Sequence, residues 1–256
     1  ESTDTTEEDT VSMKAIKAAG ELILKGGKYS LDSADDTIHS NANITISDGE
    51  FTLASGDDGI HADSATTISG GTIDITESYE GIEGLSIDIT GGETYVSGPT
   101  NDGNSALDYN GTGTVTGGIF IAAGSSGMAE NFGDSSTQGV MMVTVNSQAA
   151  GSAVSLSDSS GNELVSWTPE KEYTSVIISC PEITTGQEYT LTTGSDTTQI
   201  TMDSIVYGSG SGMGGNPGNG GGPGNGGDMG QKPDDGNGTG KGSGDGGNMG
   251  TPPEKS

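Results

Sequence analysis

The sequence predicts an all-β protein, a right-handed parallel β-helix of about six coils with a C-terminal antiparallel β cap. Two markers of a repeat carry this expectation. Aligning the chain on Ile16, Ile38, Ile60, Ile82, Leu107 and Met128 gives spacings of 22, 22, 22, 25 and 21 residues. The pairs Gly26-Gly27, Asp48-Gly49, Gly70-Gly71, Gly91-Gly92 and Gly117-Gly118 keep the same rhythm. Two markers in one register are the signature of a solenoid, in which each unit buries its apolar face only against its neighbours. The third observation is alternation. Within each unit apolar residues occupy every second position, as in short strands with one buried face. An antiparallel sandwich would explain alternation and turns but not columns in register. Right-handedness follows from the general preference of parallel crossover connections.

Residues 1–10, ESTDTTEEDT, are polar and acidic and are expected to be flexible. VSMKAIKAA, at 11–19, has helical propensity but falls on the first-strand position of the repeat, so a terminal coil is expected there. Three further columns follow: Leu24, Ile46, Ile68, Ile89, Val115; then Tyr29, Phe51, Ile73, Thr94, Phe120; then Leu31, Leu53, Ile75, Val96, Ala122. Each unit thus supplies three short strands, with glycines at corners where positive φ is useful. The β-helix is assigned to 11–145. Beyond Val145 the register is lost, and SAVSLSD, ELVSW, YTSVIISC, EYTLTT and QITMDSIVYG read as ordinary strands, with SDSSGN as a hairpin-like turn. A solenoid's last coil exposes an open edge, so 146–207 is assigned as the cap that covers it, with Trp167 in its core. Residues 208–256, rich in Gly, Asn and Pro, read as a flexible tail.

The formal charge is −29, and all eight basic residues are lysines. That balance excludes nucleic-acid and anionic-membrane binding, which need a basic surface. No stretch approaches the ~20 continuous apolar residues of a membrane span, so no membrane insertion is expected. The single cysteine, Cys180, excludes an intrachain disulfide and reads as a buried apolar thiol. The acidic start is like the region that follows a cleaved export signal, so extracellular or cell-surface placement of a monomer is expected.

On the repeat, the acids also fall into columns. Asp36, Asp58 and Glu80 stand two residues before the Ile60 column; Asp35, Asp57 and Tyr79 stand three before it. His39, His61, Glu83 and Asp108 come one residue after, and Asn41, Asp63 and Asn110 three after. With Ile60 inward, alternation puts Asp57, His61 and Asp63 outward on one surface, and Asp102 in the longer fourth corner could reach the same face. Carboxylates stacked ~5 Å apart repel by about 1 kcal/mol per neighbouring pair even in water. Raised pKa values, hydrogen bonds or a cation relieve that repulsion. Calcium suits the third route, since it takes six to eight oxygen ligands in tolerant geometry; Asx-turn capping of corner N–H groups is the competing reading of the same acids. His39 and His61 lack the third His or Cys that would complete a zinc sphere, so imidazoles hydrogen-bonded to neighbouring aspartates are expected. Tyr79, Tyr95 and Tyr109 could offer rings to a sugar, although one or two exposed tyrosines are expected in any protein.

The SGDDGIHAD repeat, the TISGGTIDI strand pair and the ESYEGIEG of the next unit resemble the bacterial secreted carbohydrate-binding β-helix proteins with a pectate-lyase-like fold. The resemblance covers roughly residues 13–206. It implies calcium ions along the acidic ladder and binding of plant cell-wall polysaccharide. On this sequence it implies Asp35, Asp36, Asp57, Asp58, Asp63, Glu80 and Glu83 as metal ligands. His39, His61, Tyr79, Asp102 and Asp108 are the carbohydrate-binding candidates. Lys14 and Lys17 depart from the pattern, so the ladder is expected to stop at the first unit.

Three functions are therefore open. The first is calcium-dependent, non-catalytic binding of polysaccharide, either polygalacturonate, whose carboxylates calcium can bridge to the protein's, or cellulose. The second is a calcium-dependent lyase or an acid-pair hydrolase. Related β-helix lyases use Arg or Lys as the base, and here arginine is absent. The third is a structural or adhesive surface protein with the tail as a spacer.

Overall fold

The computed structural model describes residues 12–208, and all their regular elements are strands. The segment 1–10 and the tail from 209 onward, both expected to be flexible, lie outside the described residues. β1 (Ile16–Ala18) and β2 (Leu22–Ser33) form the first turn of a parallel solenoid; β3 (Ile38–Ser40) and β4 (Ile44–Ser55) form the second. β5 (Asp58–Glu77) and β6 (Glu80–Ser97) run through whole turns, and β7 (Leu107–Val115) with β8 (Ile119–Gly124) makes another. The columns read from sequence are the observed registers. Ile16 pairs with Ile38, Ile38 with Ile60, Ile60 with Ile82, and Ile82 with Leu107. Leu24, Ile46, Ile68, Ile89 and Val115 stack in the same way, so the terminal unit is a strand-bearing coil and not a helix. A column that the alignment did not single out, Leu22, Ile44, Thr66, Ile87 and Gly113, completes the bore.

The corner glycines are required by close backbone approach. Gly71 has φ +85°, and a Cβ there would lie 2.7 Å from the Gly49 carbonyl oxygen of the coil beneath. A second kind of glycine, one residue before the isoleucine column, faces the bore. A Cβ on Gly81 would meet Ala106 O at 2.2 Å and Val96 Cγ1 at 2.4 Å. Gly81→Ala is therefore expected to cost about 2 kcal/mol through overpacking, whereas Gly20→Ala, with nothing within 4 Å, leaves stability nearly unchanged; urea unfolding of the two variants checks this. Thr94 occupies a bore position between Ile73 and Phe120, and its buried hydroxyl has no hydrogen-bond partner. Thr94→Val is expected to raise stability by about 1 kcal/mol in the same assay.

The turns number about five, not six, and Met128 does not join the bore: it is 45% exposed. Ala129 and Phe132 are buried in its place, with Phe132 set edge-on to Phe120 at 5.0 Å. The cause is an inserted strand. After β9 (Val140–Gln148), β10 (Val154–Asp158) and β11 (Glu163–Trp167), the chain sends β12 (Tyr173–Ser179) back between β8 and β9, antiparallel to both. β9 therefore cannot stack on β8 as a sixth coil. β13 (Glu188–Thr193) and β14 (Asp196–Thr201) join β10 and β11 in a four-stranded antiparallel sheet ordered β11-β10-β13-β14, while β15 (Val206–Tyr207) pairs with β9. The cap thus splits, with β12 and β15 extending the solenoid sheet. Its other four strands pack on the outer side of β8, β9 and β12 through Ile121, Val143, Ile178, Leu156, Leu191 and Ile200. Cys180 is buried in this second core, and burial pushes its thiol up to about 12. Trp167 is only half-buried, at the seam with β6.

Candidate functional site

Two columns of polar side chains meet along one corner of the solenoid. Gly59 and Ile60 both face the bore: a Cβ on Gly59 would lie 2.8 Å from Ile75 Cδ1, and Ile60 is fully buried. Two consecutive inward residues break the strand alternation, so the side chain before them folds back against the one after them. Asp36 reaches His39 Nδ1 at 2.8 Å and Asp58 reaches His61 Nδ1 at 3.0 Å, each an i,i+3 pair. Asp36, Asp58 and His39 are consequently buried, His61 is half-buried, and Asp57 and Asp63 are exposed.

The ladder starts with a cation. Lys14 stands one coil before Asp36 and donates to Asp35 Oδ1 at 2.8 Å and to Asp36 Oδ2. Burial works against its charge, but the bonds to Asp35 and Asp36 outweigh that and hold its pKa above the ordinary value. The same bond holds Asp35 below the usual carboxylate range. Asp36, 1% exposed, is thus surrounded by Lys14, His39 and, at 3.6 Å, His61. In the next coil His61 Nδ1 lies between Asp58 Oδ2 and Glu83 Oε2, the latter at 3.1 Å. The bond to Asp58, assisted by Glu83 and Asp36, raises the imidazole to about 9 against the pull of burial. The two imidazoles lie 4.8 Å apart, edge to face.

Further along, no lysine or histidine appears. Glu80 pairs in register with Asp58, and Asp108 with Glu83. Burial, reinforced by Asp58 and Asp108, pushes Glu80 up to about 8; burial also raises Asp58, Asp57 and Asp108. Glu130 lies next, accepting from Tyr109 N at 3.1 Å and raised by burial to about 7. Asp63 accepts from Asn41 at 3.1 Å, and the exposed Tyr79 donates its backbone N–H to Asp57 O. Asp102 is not brought to the ladder: its carboxylate accepts from Ser125 on the following coil. The fourth corner contributes Asn104 instead, 2.8 Å from Glu80 Oε1. Asn104 and Glu130 were not among the expected residues, and Glu130 was out of reach because the register fails at Met128. Lys14, expected only as the departure at which the acids stop, is bonded into the ladder as its first member.

Three groups bring ligand atoms within 4.8 Å of one another: Asp35, Asp36, Asp57; Asp36, His39, His61; and Asp58, His61, Glu83. The first, all oxygen, has the chemistry calcium prefers, but the Lys14 ammonium is already bonded to two of its three carboxylates, Asp35 and Asp36. The third offers two carboxylates bridged by an imidazolium, and a divalent ion fits them once the imidazole gives up its proton. Capping also operates: Asp36 Oδ1 accepts from Asp58 N at 3.4 Å, a bond from coil to coil. Chemically, the ladder can hold cations and accept hydrogen bonds from hydroxyl groups.

Fold and site together define a β-solenoid with an acidic polar ladder on one corner. A family model described as "carbohydrate-binding domain-containing protein" matches residues 1–59, which carry Lys14, Asp35, Asp36, His39, Asp57 and Asp58. No curated protein and no solved structure matches the chain. No helix among the described residues is long and apolar enough to cross a membrane.

Proposed function

We propose that the protein binds plant cell-wall polysaccharide, acidic pectic or cellulosic, through this ladder, with calcium and without cleaving it, outside the cell or at its surface. The observation that carries the reading is the lysine-free end of the ladder: Asp58, Glu80, Glu83 and Asp108 pair coil to coil with only the His61 imidazole bonded among them. Carbohydrate binding is supported by the family match over the ladder's first rungs. Asp58 and Glu83, with Glu80 beside them, are the residues that would hold the ion. Bound there, it would supply positive charge that joins protein carboxylates to those of a uronate chain. The same geometry disfavours hydrolysis, because His61 Nδ1 bonds both Asp58 and Glu83 and ties the two carboxylates to one ring.

The test is a pull-down over pectate, cellulose and xylan with calcium present or chelated. Retention on pectate or cellulose that drops at least tenfold on chelation and with Glu83→Gln is the expected result. Absence of retention on every glycan would leave the protein a structural or adhesive one. Release of unsaturated or reducing sugar, lost in Asp58→Ala, would overturn the non-catalytic reading.

A further inference from the structure

Away from the ladder, Tyr95 and Trp167 meet at the seam between solenoid and cap, their rings stacked with centroids 5.9 Å apart and 26° between planes. Tyr95 projects outward from β6, in register with Asp74 on one side and Ile121 on the other. Ile121 is sealed under the four-stranded sheet, whereas Tyr95 and Trp167 are half-exposed. The cap therefore ends over Tyr95, and Trp167 stands as a wall at that edge. The wall is held in place: Glu170 N donates to Ser97 Oγ at 3.0 Å and Lys171 Nζ to Ser78 O at 2.7 Å.

The floor in front of the wall continues the Tyr95 column through Asp74, Thr52 and Ser30, one outward polar group per coil, at the ~4.8 Å spacing of stacked strands. Asp74 is a half-buried carboxylate that accepts no hydrogen bond from the described residues, and Glu170 lies near enough to repel it. Glu93 accepts from Tyr95 OH at 3.1 Å. A fixed aromatic pair beside an acceptor without a donor, Asp74, followed by a row of hydroxyls, complements one ligand chemistry. A pyranose offers a C–H face to the rings and hydroxyl donors to the carboxylates. Charge selects among sugars. Asp74, Glu93 and Glu170 surround the spot, and Lys171 is committed to a backbone carbonyl, so a uronate would be repelled and a neutral sugar would not.

We infer that Tyr95, Trp167 and Asp74 form a second glycan-binding site, which takes a neutral hexose chain lying along the solenoid axis and needs no calcium. This rests on the carbohydrate-binding reading but not on its metal dependence. The single tryptophan of the chain is the reporter. Titration of the full chain with a soluble cello-oligosaccharide in EDTA is expected to change Trp167 emission saturably. Tyr95→Ala abolishes the response, and Asp74→Asn, which leaves the aromatic seam intact, weakens binding about fivefold or more. A silent Trp167 together with unaltered calorimetric affinity in Asp74→Asn overturns the inference, as does failure of any neutral oligosaccharide to bind. If pectate is still retained in calcium, only this second site is lost; if no glycan binds at all, the carbohydrate-binding reading falls with it.

Discussion

Lys14→Ala is expected to lose about 3 kcal/mol of stability in metal-free buffer and to regain a large part of it in millimolar calcium. Asp36 is 1% exposed and the Lys14 side chain only 15%, so truncating the lysine leaves a buried carboxylate short of its main counter-charge, and removing one partner of a buried pair is costly. His39 still bonds Asp36, which keeps the loss from being larger. The vacated space is ringed by oxygens of Asp35, Asp36 and Asp57, the donor set a calcium ion takes. A ligand that binds only the folded state stabilises it in proportion to the logarithm of its concentration over Kd. The melting temperature of Lys14→Ala should therefore climb with calcium more steeply than that of the parent protein. A variant as stable as the parent, or one indifferent to calcium, refutes the idea that the ammonium stands where a cation would.

The second large effect is on pH. Folded His61 keeps its proton to about 9 instead of 6.5, so the stabilisation from its carboxylate partners is complete below 6.5 and disappears as pH rises through 9. Glu80, at about 8 instead of 4.5, and Glu130, at about 7, are also protonated more strongly in the folded chain. Asp57, Asp58, Asp74 and Asp108 are shifted in the same direction. For these acids the folded state binds protons that the unfolded chain has released, so stability falls as pH rises from the ordinary carboxylate range to about 8. Both contributions have the same sign. The metal-free protein should be most stable near pH 5, and its Tm should fall by ~5 °C or more by pH 9. On the acid side Asp35, held low by Lys14, gives stability that is lost as pH drops through its folded pKa. Calcium bound by Asp58 and Glu83 as proposed would compete with the His61 proton, so the Tm gain from calcium should be larger at pH 9 than at pH 6. A calcium-free Tm that is flat or rises over this range contradicts the ladder's electrostatics.

Most of the fold is legible in the chain because a solenoid turns sequence period into spatial neighbourhood. Once Ile38, Ile60 and Ile82 recur at one interval, the residues beside them are forced into ladders at the strand spacing, and Asp58 must lie over Glu80. The column of His39 and His61 was readable for the same reason. What alternation could not supply was direction at the corner. At the corner Gly59 turns inward along with Ile60, so Asp58, which strict alternation would have pointed into the bore, folds back against His61, as Asp36 does against His39. The insertion of β12 was equally out of reach, since an antiparallel strand arriving from fifty residues downstream of β8 obeys no local period.

The repeat, the number of strands per turn, the bore columns and the overall acidity follow from the amino-acid order, because stacking requires only that like positions recur. The tertiary structure decided the rest. It fixed which carboxylates pair with Lys14, His39 and His61, where the stack ends, and that the Trp167 ring meets Tyr95. Those outcomes depend on side-chain direction at a corner and on contacts between segments far apart in the chain, and neither is encoded in a spacing.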